Sequence, residues 1–151
     1  EQMNTTPNPQ AIQEDQYVFP YHYVPSLRDG KFKLHLFWSW GLNYLSSMEL
    51  LIDILKAHED FQSLLDVGCG DGRFLHELNA HFSEKKLTGV DYSHQAISLA
   101  KAINPELDFQ RLDIIAQGGD LDPFDIVTCI EVLEHIPPSE AEQFVKAMAG
   151  P

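Results

Sequence analysis

Two stretches of this sequence combine residue types that could do chemistry. Residues 64–72 read Leu-Leu-Asp-Val-Gly-Cys-Gly-Asp-Gly, an apolar run that ends in a glycine turn and opens a helical pattern. Glycine has no Cβ, so such a turn lets backbone amides come close to a ligand. Asp91 stands nineteen residues beyond Gly72, at the end of a second apolar run. A carboxylate there can accept hydrogen bonds from both hydroxyls of a ribose. The glycine spacing is Gly-x-Gly-x-Gly, and the position where a dinucleotide fingerprint needs its third glycine is Arg73. Asp71 adds a physical objection, because a carboxylate at a helix N-terminus competes for the amides that would hold a pyrophosphate. A ligand without phosphate and with a positive charge suits the loop better, which makes an NAD-dependent dehydrogenase the least favoured reading.

The second stretch holds Glu131, Glu134 and His135, which leave a later apolar run together. Two carboxylates and an imidazole at this spacing can share one divalent metal ion if the turn folds them inward. Without a metal, His135 is a candidate general base. The plainer alternative makes Glu134 part of a solvated turn and His135 a packing residue.

Chemistry at these positions requires a scaffold that brings the ends of separate apolar runs together. Residues 63–67 form a continuous apolar run, as in a strand buried on both faces. A helix is expected over 72–82, with Phe74, Leu75, Leu78 and Phe82 on one side. The second strand covers 87–90, Ser93 caps a helix over 94–103, and that helix stops before Pro105. Residues 107–112 alternate as a third strand, and 124–130 form the fourth and most apolar one. After Pro137 and Pro138 a helix starts at Ser139, with Glu142 as its capping-box partner. Strands separated by helices indicate βαβ units, an α/β fold with a parallel sheet. In such a sheet a ligand sits beyond the carboxyl ends of the strands, where both chemical stretches lie. Upstream, residues 1–16 have the composition of a disordered tail. Residues 17–60 hold an aromatic-dense cover, a candidate lid over an acceptor, and a helix over 43–57 with Leu45, Met48, Ile52 and Leu55 at helical spacing.

Four segments in order resemble the class I S-adenosylmethionine-dependent methyltransferases: the glycine loop, Val90-Asp91-Tyr92-Ser93, the pair Leu112-Asp113, and 124–137 with its Ile130-Glu131-Val132-Leu133-Glu134-His135 core. The resemblance covers about 61–148 and implies a Rossmann-like sheet over 61–151 with S-adenosylmethionine as cofactor. It implies that Asp66, Gly68, Cys69 and Gly70 line the methionine part and that Asp91 holds the ribose. Tyr92 would flank the adenine, Asp113 and the Ile114 amide would read its edge, and Ile130 and Glu131 would meet the cofactor where the fourth strand ends. The Glu131, Glu134, His135 segment is also similar to metal-holding stretches of small-RNA 2′-O-methyltransferases and some quinone-pathway O-methyltransferases. The expected activity is methyl transfer to an O, N or C atom of a small-molecule acceptor. Its alternatives are metal-assisted RNA 2′-O-methylation and a cofactor-binding module without catalysis.

Composition bounds the partners. Ten Lys and Arg stand against 23 Asp and Glu, a net charge of −13, which disfavours a broad nucleic-acid face. No run of 18 apolar residues suggests a membrane span, and two cysteines are too few for a disulfide framework, which fits the reducing cytoplasm. The resemblance implies seven strands, and only about four are legible before Gly150 and Pro151. The sheet therefore reads as incomplete, with the fourth strand an open edge. Continuation in a longer chain, or a homodimer, is expected to cover it, and poor stability is expected otherwise.

Overall fold

The structure is a computed structural model that describes residues 26–33, 41–118 and 121–150. The chain forms two compact units, residues 1–54 and 55–151. In the first, β1 (Ser26–Arg28) pairs antiparallel with β2 (Lys31–Lys33), and α1 (Leu42–Lys56) follows. The hairpin turn is Asp29-Gly30, with φ of 53° and 69°, the two left-handed residues that a type I′ turn requires. The expected tail over 1–16 and most of the aromatic cover, 17–25 and 34–40, lie outside the described residues.

The second unit is the expected α/β layer structure. Its elements are β3 (Ser63–Val67), α2 (Arg73–Asn79), β4 (Lys86–Asp91), α3 (His94–Ile103), β5 (Asp108–Arg111), α4 (Ile114–Gln117), β6 (Ile126–Thr128), a 3₁₀ turn over Leu133–His135, and α5 (Ala141–Met148). The sheet order is β5-β4-β3-β6, and every neighbouring pair is parallel. The chain starts in the middle, steps outward through β4 and β5, then returns to lay β6 on the other side of β3. That reversal opens a crevice at the carboxyl ends of β3 and β6. Leu65, Val67, Val90, Ile114, Val132 and Phe144 form one buried cluster. Among the described residues β6 is an outer strand, and Val127 on it is 38% exposed.

Local chemistry explains where elements begin and end. Ser93 Oγ accepts from the Ala96 N–H at 3.1 Å, the expected cap of α3. Ser139 does not cap α5, because 137–140 close a turn through Glu140 N–H to Pro137 O (2.8 Å) and the helix begins only at Ala141. Glu142 accordingly makes no capping box and pairs with Lys146 at 2.6 Å. Helix α2 is shorter than the apolar spacing suggests, since His81 and Phe82 both turn back onto the Leu78 carbonyl. Strand β6 is likewise shorter than 124–130. Just before it, the Asp125 carboxylate accepts from Gln62 N–H, Ser63 N–H and Ser63 Oγ at 2.8, 2.9 and 3.0 Å. These bonds hold its carboxyl below the usual range and pin the entry of β6 to that of β3.

Tight packing crosses the sheet at one glycine. Gly89 on β4 is the register partner of Phe109 on β5. A Cβ at Gly89 would stand 2.7 Å from Phe109 Cδ1 and 2.9 Å from Cys69 Sγ. The same ring closes on the helix start, since a Cβ at Gly72 would lie 2.6 Å from Phe109 Cζ. Gly89→Ala is therefore expected to destabilise the fold by about 1–3 kcal/mol through overpacking, with Gly89→Ala/Phe109→Leu recovering part of the loss in thermal unfolding. One buried group on β4 is also poorly placed: Thr88 is 1% exposed and its hydroxyl makes no hydrogen bond. Thr88→Val keeps the shape and removes that group, so its denaturant midpoint should rise by the equivalent of about 1 kcal/mol.

Candidate active site

The carboxyl ends of β3 and β4 place two acids on adjacent strands. Asp66 lies in β3 and Asp91 ends β4, and they are 3% and 4% exposed. Between them runs the glycine loop, anchored where Gly68 N–H and Cys69 N–H donate to the Val90 carbonyl at 2.8 and 3.1 Å. Gly68, Gly70 and Gly72 have φ of 76°, 56° and 78°, a left-handed region that other residues rarely adopt. Gly68 also has a packing reason, because a Cβ there would meet Val132 Cγ2 at 2.3 Å.

Asp91 organises the loop. Its Oδ2 accepts from Gly70 N–H at 3.0 Å and its Oδ1 from Ser93 N–H at 2.8 Å. Asp66 is in a harsher environment. Burial raises its pKa from 3.8 to about 7, the Asp91 charge adds to the rise, and a 2.8 Å hydrogen bond from Thr128 Oγ1 opposes it. Asp71, the third buried acid, accepts from Arg73 N–H at 3.3 Å. It thus takes an amide of the first turn of α2, as the objection to a pyrophosphate anticipates. Burial first, then the charges of Asp66, Asp91 and Asp71, push the Cys69 thiol well above its ordinary pKa. Burial also raises Cys129 to about 12. Both cysteines are free and protonated at neutral pH.

The remaining predicted residues border the same end of the sheet. Arg111 Nε donates to the Tyr92 carbonyl at 3.0 Å, tying the chain after β4 to the end of β5. Asp113 caps α4: its Oδ1 accepts from Ile115 N–H at 3.0 Å and Ala116 N–H at 3.4 Å. The Ile114 amide is not one of the two it takes, and the Ile114 side chain is buried in the core. Ile130 is half-buried, and Glu131 follows it with φ 55°.

Glu131, Glu134 and His135 do not assemble as a metal-ligand set. Among the described residues no three His, Cys, Asp or Glu side chains converge on a common ion position. Glu131 instead hydrogen-bonds to Glu134. That bond, then burial and the Glu134 charge, raise the Glu131 pKa, and His135 opposes the rise. His135 Nε2 lies 4.0 Å from Glu134 Oε1 on the 3₁₀ turn.

Three residues that position this site escaped the sequence reading. Thr128 is the one polar residue in β6 and is paired in register with Asp66. A hydroxyl inside an apolar strand, level with an acid on its neighbour, was the available signal. Gly89 was marked by being a glycine in mid-strand, a frequent sign of close approach. Val132 offered no signal, because its contact with Gly68 spans 64 residues of sequence.

Comparison with known proteins places this geometry in a family. A family model described as a methyltransferase domain matches residues 64–150. The ubiquinone biosynthesis O-methyltransferase of Coxiella burnetii (strain RSA 493 / Nine Mile phase I) is 36% identical over 126 residues, covering 80% of this chain and 49% of that protein. The chain thus spans about half the length of the curated relatives it matches. In fold it is similar to magnesium protoporphyrin IX methyltransferase from Synechocystis PCC 6803, solved with bound S-adenosylmethionine, at a TM-score of 0.74 and 19% identity over 97% of this chain and 73% of that one. A second similar structure is the amino pentose methyltransferase of Micromonospora echinaspora, with a TM-score of 0.58 and 26% identity over 69% of this chain and 44% of that one. Glycine loop, strand-end acids, sheet order and the match over 64–150 agree, and the chain belongs to the class I S-adenosylmethionine-dependent methyltransferase family.

Proposed function

We propose that this chain binds S-adenosylmethionine across the ends of β3, β4 and β5 and transfers its methyl group to a small-molecule acceptor. The observation that carries the reading is the pair of buried acids, Asp66 and Asp91, on either side of the glycine loop. Buried carboxylates are costly unless a partner brings positive charge, and S-adenosylmethionine carries an ammonium and a sulfonium. When bound, it supplies an electrophilic methyl group on sulfur. Asp66, Gly68, Cys69 and Gly70 hold the methionine part. Asp91 accepts from the ribose hydroxyls, as an acid at the end of the second strand of such a sheet can. Tyr92 flanks the adenine, Asp113 and the Ile114 amide read its edge, and Ile130 and Glu131 close the β6 side.

The chain's contribution to methyl transfer is in-line positioning and, for an oxygen or nitrogen acceptor, removal of a proton. His135 is the base in this reading, with Glu134 beside it at 4.0 Å. Oxygen is favoured among O, N and C acceptors because the curated relatives are named as O-methyltransferases. A small molecule is preferred to RNA on the net charge of −13. The cytoplasm suits two free cysteines, and among the described residues no helix is long and apolar enough to cross a membrane. The open side of β6 would be covered by further chain or by a second copy.

Calorimetric titration tests the cofactor assignment. S-adenosylmethionine should bind and NAD should not, and Asp91→Ala should weaken binding at least about tenfold, as expected for lost hydrogen bonds to a charged group. NAD binding, or an unchanged affinity in Asp91→Ala, would sink the assignment. Asp66 adds a pH dependence. Its pKa of about 7 in the free protein means that cation binding must expel a proton below that pH. Affinity at pH 6 should therefore be roughly tenfold weaker than at pH 8, and Asp66→Asn should bind weakly with a much flatter profile. The sign for folding is opposite. A raised carboxyl pKa gives stability that is fully present below its ordinary value of 3.8 and is lost as pH rises through about 7, so Asp66→Asn should remove that slope from urea unfolding.

A further inference from the structure

Asn104 is fully buried, at 0% exposure, at the C-terminal end of α3. A buried amide needs partners for both of its ends, and Asn104 divides them between two helices. Its Nδ2 donates to Ala100 O of α3 at 3.3 Å, and its Oδ1 lies 2.7 Å from His76 Nδ1 on α2. Because the amide oxygen can only accept, His76 carries its proton on Nδ1. His76 is one turn into α2, and its own N–H donates to Gly72 O at 3.0 Å. The amide therefore reaches the last residue of the glycine loop through His76. The amide also stands next to that residue, since a Cβ at Gly72 would lie 3.0 Å from Asn104 Nδ2, beside the Phe109 ring.

Gly72 needs such support. It is the N-cap of α2 with φ 78° and no side-chain cap of its own; the loop holds it from one side, through Gly72 N–H to Cys69 O at 2.9 Å and Asp71 Oδ1 on Arg73 N–H at 3.3 Å, and Asn104 with His76 stands on the other. A leucine at 104 would fill similar space and leave no polar atom buried. The Ala100 carbonyl would still receive the Asn104 backbone N–H at 2.9 Å, and His76 is exposed and can turn to water. An apolar residue would therefore serve the fold as well, which leaves the orientation of the loop as the property that the amide controls.

We infer that Asn104, acting through His76 and Gly72, is a positioning residue that sets the glycine loop for the methionine part of the cofactor. The inference rests on the S-adenosylmethionine reading above. It concerns one half of the ligand, which separates it from a general effect on folding. Asn104→Leu and His76→Ala in the intact chain should each weaken S-adenosylmethionine binding about tenfold and leave adenosine binding within about twofold, with an unchanged melting temperature. His76 lies on an exposed helix position, so His76→Ala keeps the test open if Asn104→Leu folds poorly. His76→Gln, which retains a donor, should restore part of the affinity. Equal loss for both ligands, or no loss in folded variants, overturns the inference while the cofactor reading stands. Failure of the unaltered chain to bind S-adenosylmethionine overturns both.

Discussion

The Asp91 carboxylate is the joint on which the site depends. Parallel strands end side by side, but the chains leaving them diverge, one into the glycine loop and the other into α3. Asp91 ties the two departures together by accepting from Gly70 N–H with one oxygen and Ser93 N–H with the other. Charge-assisted bonds of this kind are about twice as strong as neutral ones. Once both amides are held, the loop lies over the end of β4 on backbone bonds, and Asp71 adds a side-chain bond only where α2 begins.

The same arrangement places three acids, Asp66, Asp71 and Asp91, in one buried neighbourhood. They are solved differently. Asp91 accepts from the Gly70 and Ser93 amides and Asp71 from the Arg73 amide, whereas Asp66 takes a neutral hydroxyl and is pushed toward protonation. The difference follows from position. Asp91 and Asp71 stand at element ends, where unpaired amides are available, while Asp66 lies inside a central strand whose amides are used by the sheet. Asp66 is therefore the acid with the most to gain from an arriving cation.

Much of this was legible in the sequence because it is local. The strand over 63–67, the Ser93 cap and the helix to Ile103 follow from apolar runs and one hydroxyl, and the structure has them at the same bounds. The acids could be assigned to strand ends for the same reason. The Asp29-Gly30 hairpin is also local, a two-residue turn signal set in an aromatic-dense stretch. Illegible features are those set by contacts distant in sequence. Phe109 passes Gly89 to reach Gly72, and the seat of Val132 on Gly68 joins the ends of β3 and β6. The metal-ligand set that Glu131, Glu134 and His135 could form is not assembled among the described residues, because spacing gives proximity but not direction.

Direction at that turn has its own cause. Val132 packs into the space that Gly68 leaves empty. The residue before it, Glu131, takes φ 55° although it is not glycine. A left-handed residue of this kind costs of order 1 kcal/mol, and burying most of a valine side chain returns about 1.5–3 kcal/mol. The strain is thus supported by packing, and it has a consequence for chemistry. With Val132 fixed inward, the chain that follows must re-emerge, and Glu134 and His135 are delivered on a 3₁₀ turn held by His135 N–H to Val132 O at 2.9 Å. The apolar anchor sets where this turn begins, since Val132 packs against Gly68 with its side chain and accepts the His135 N–H with its carbonyl.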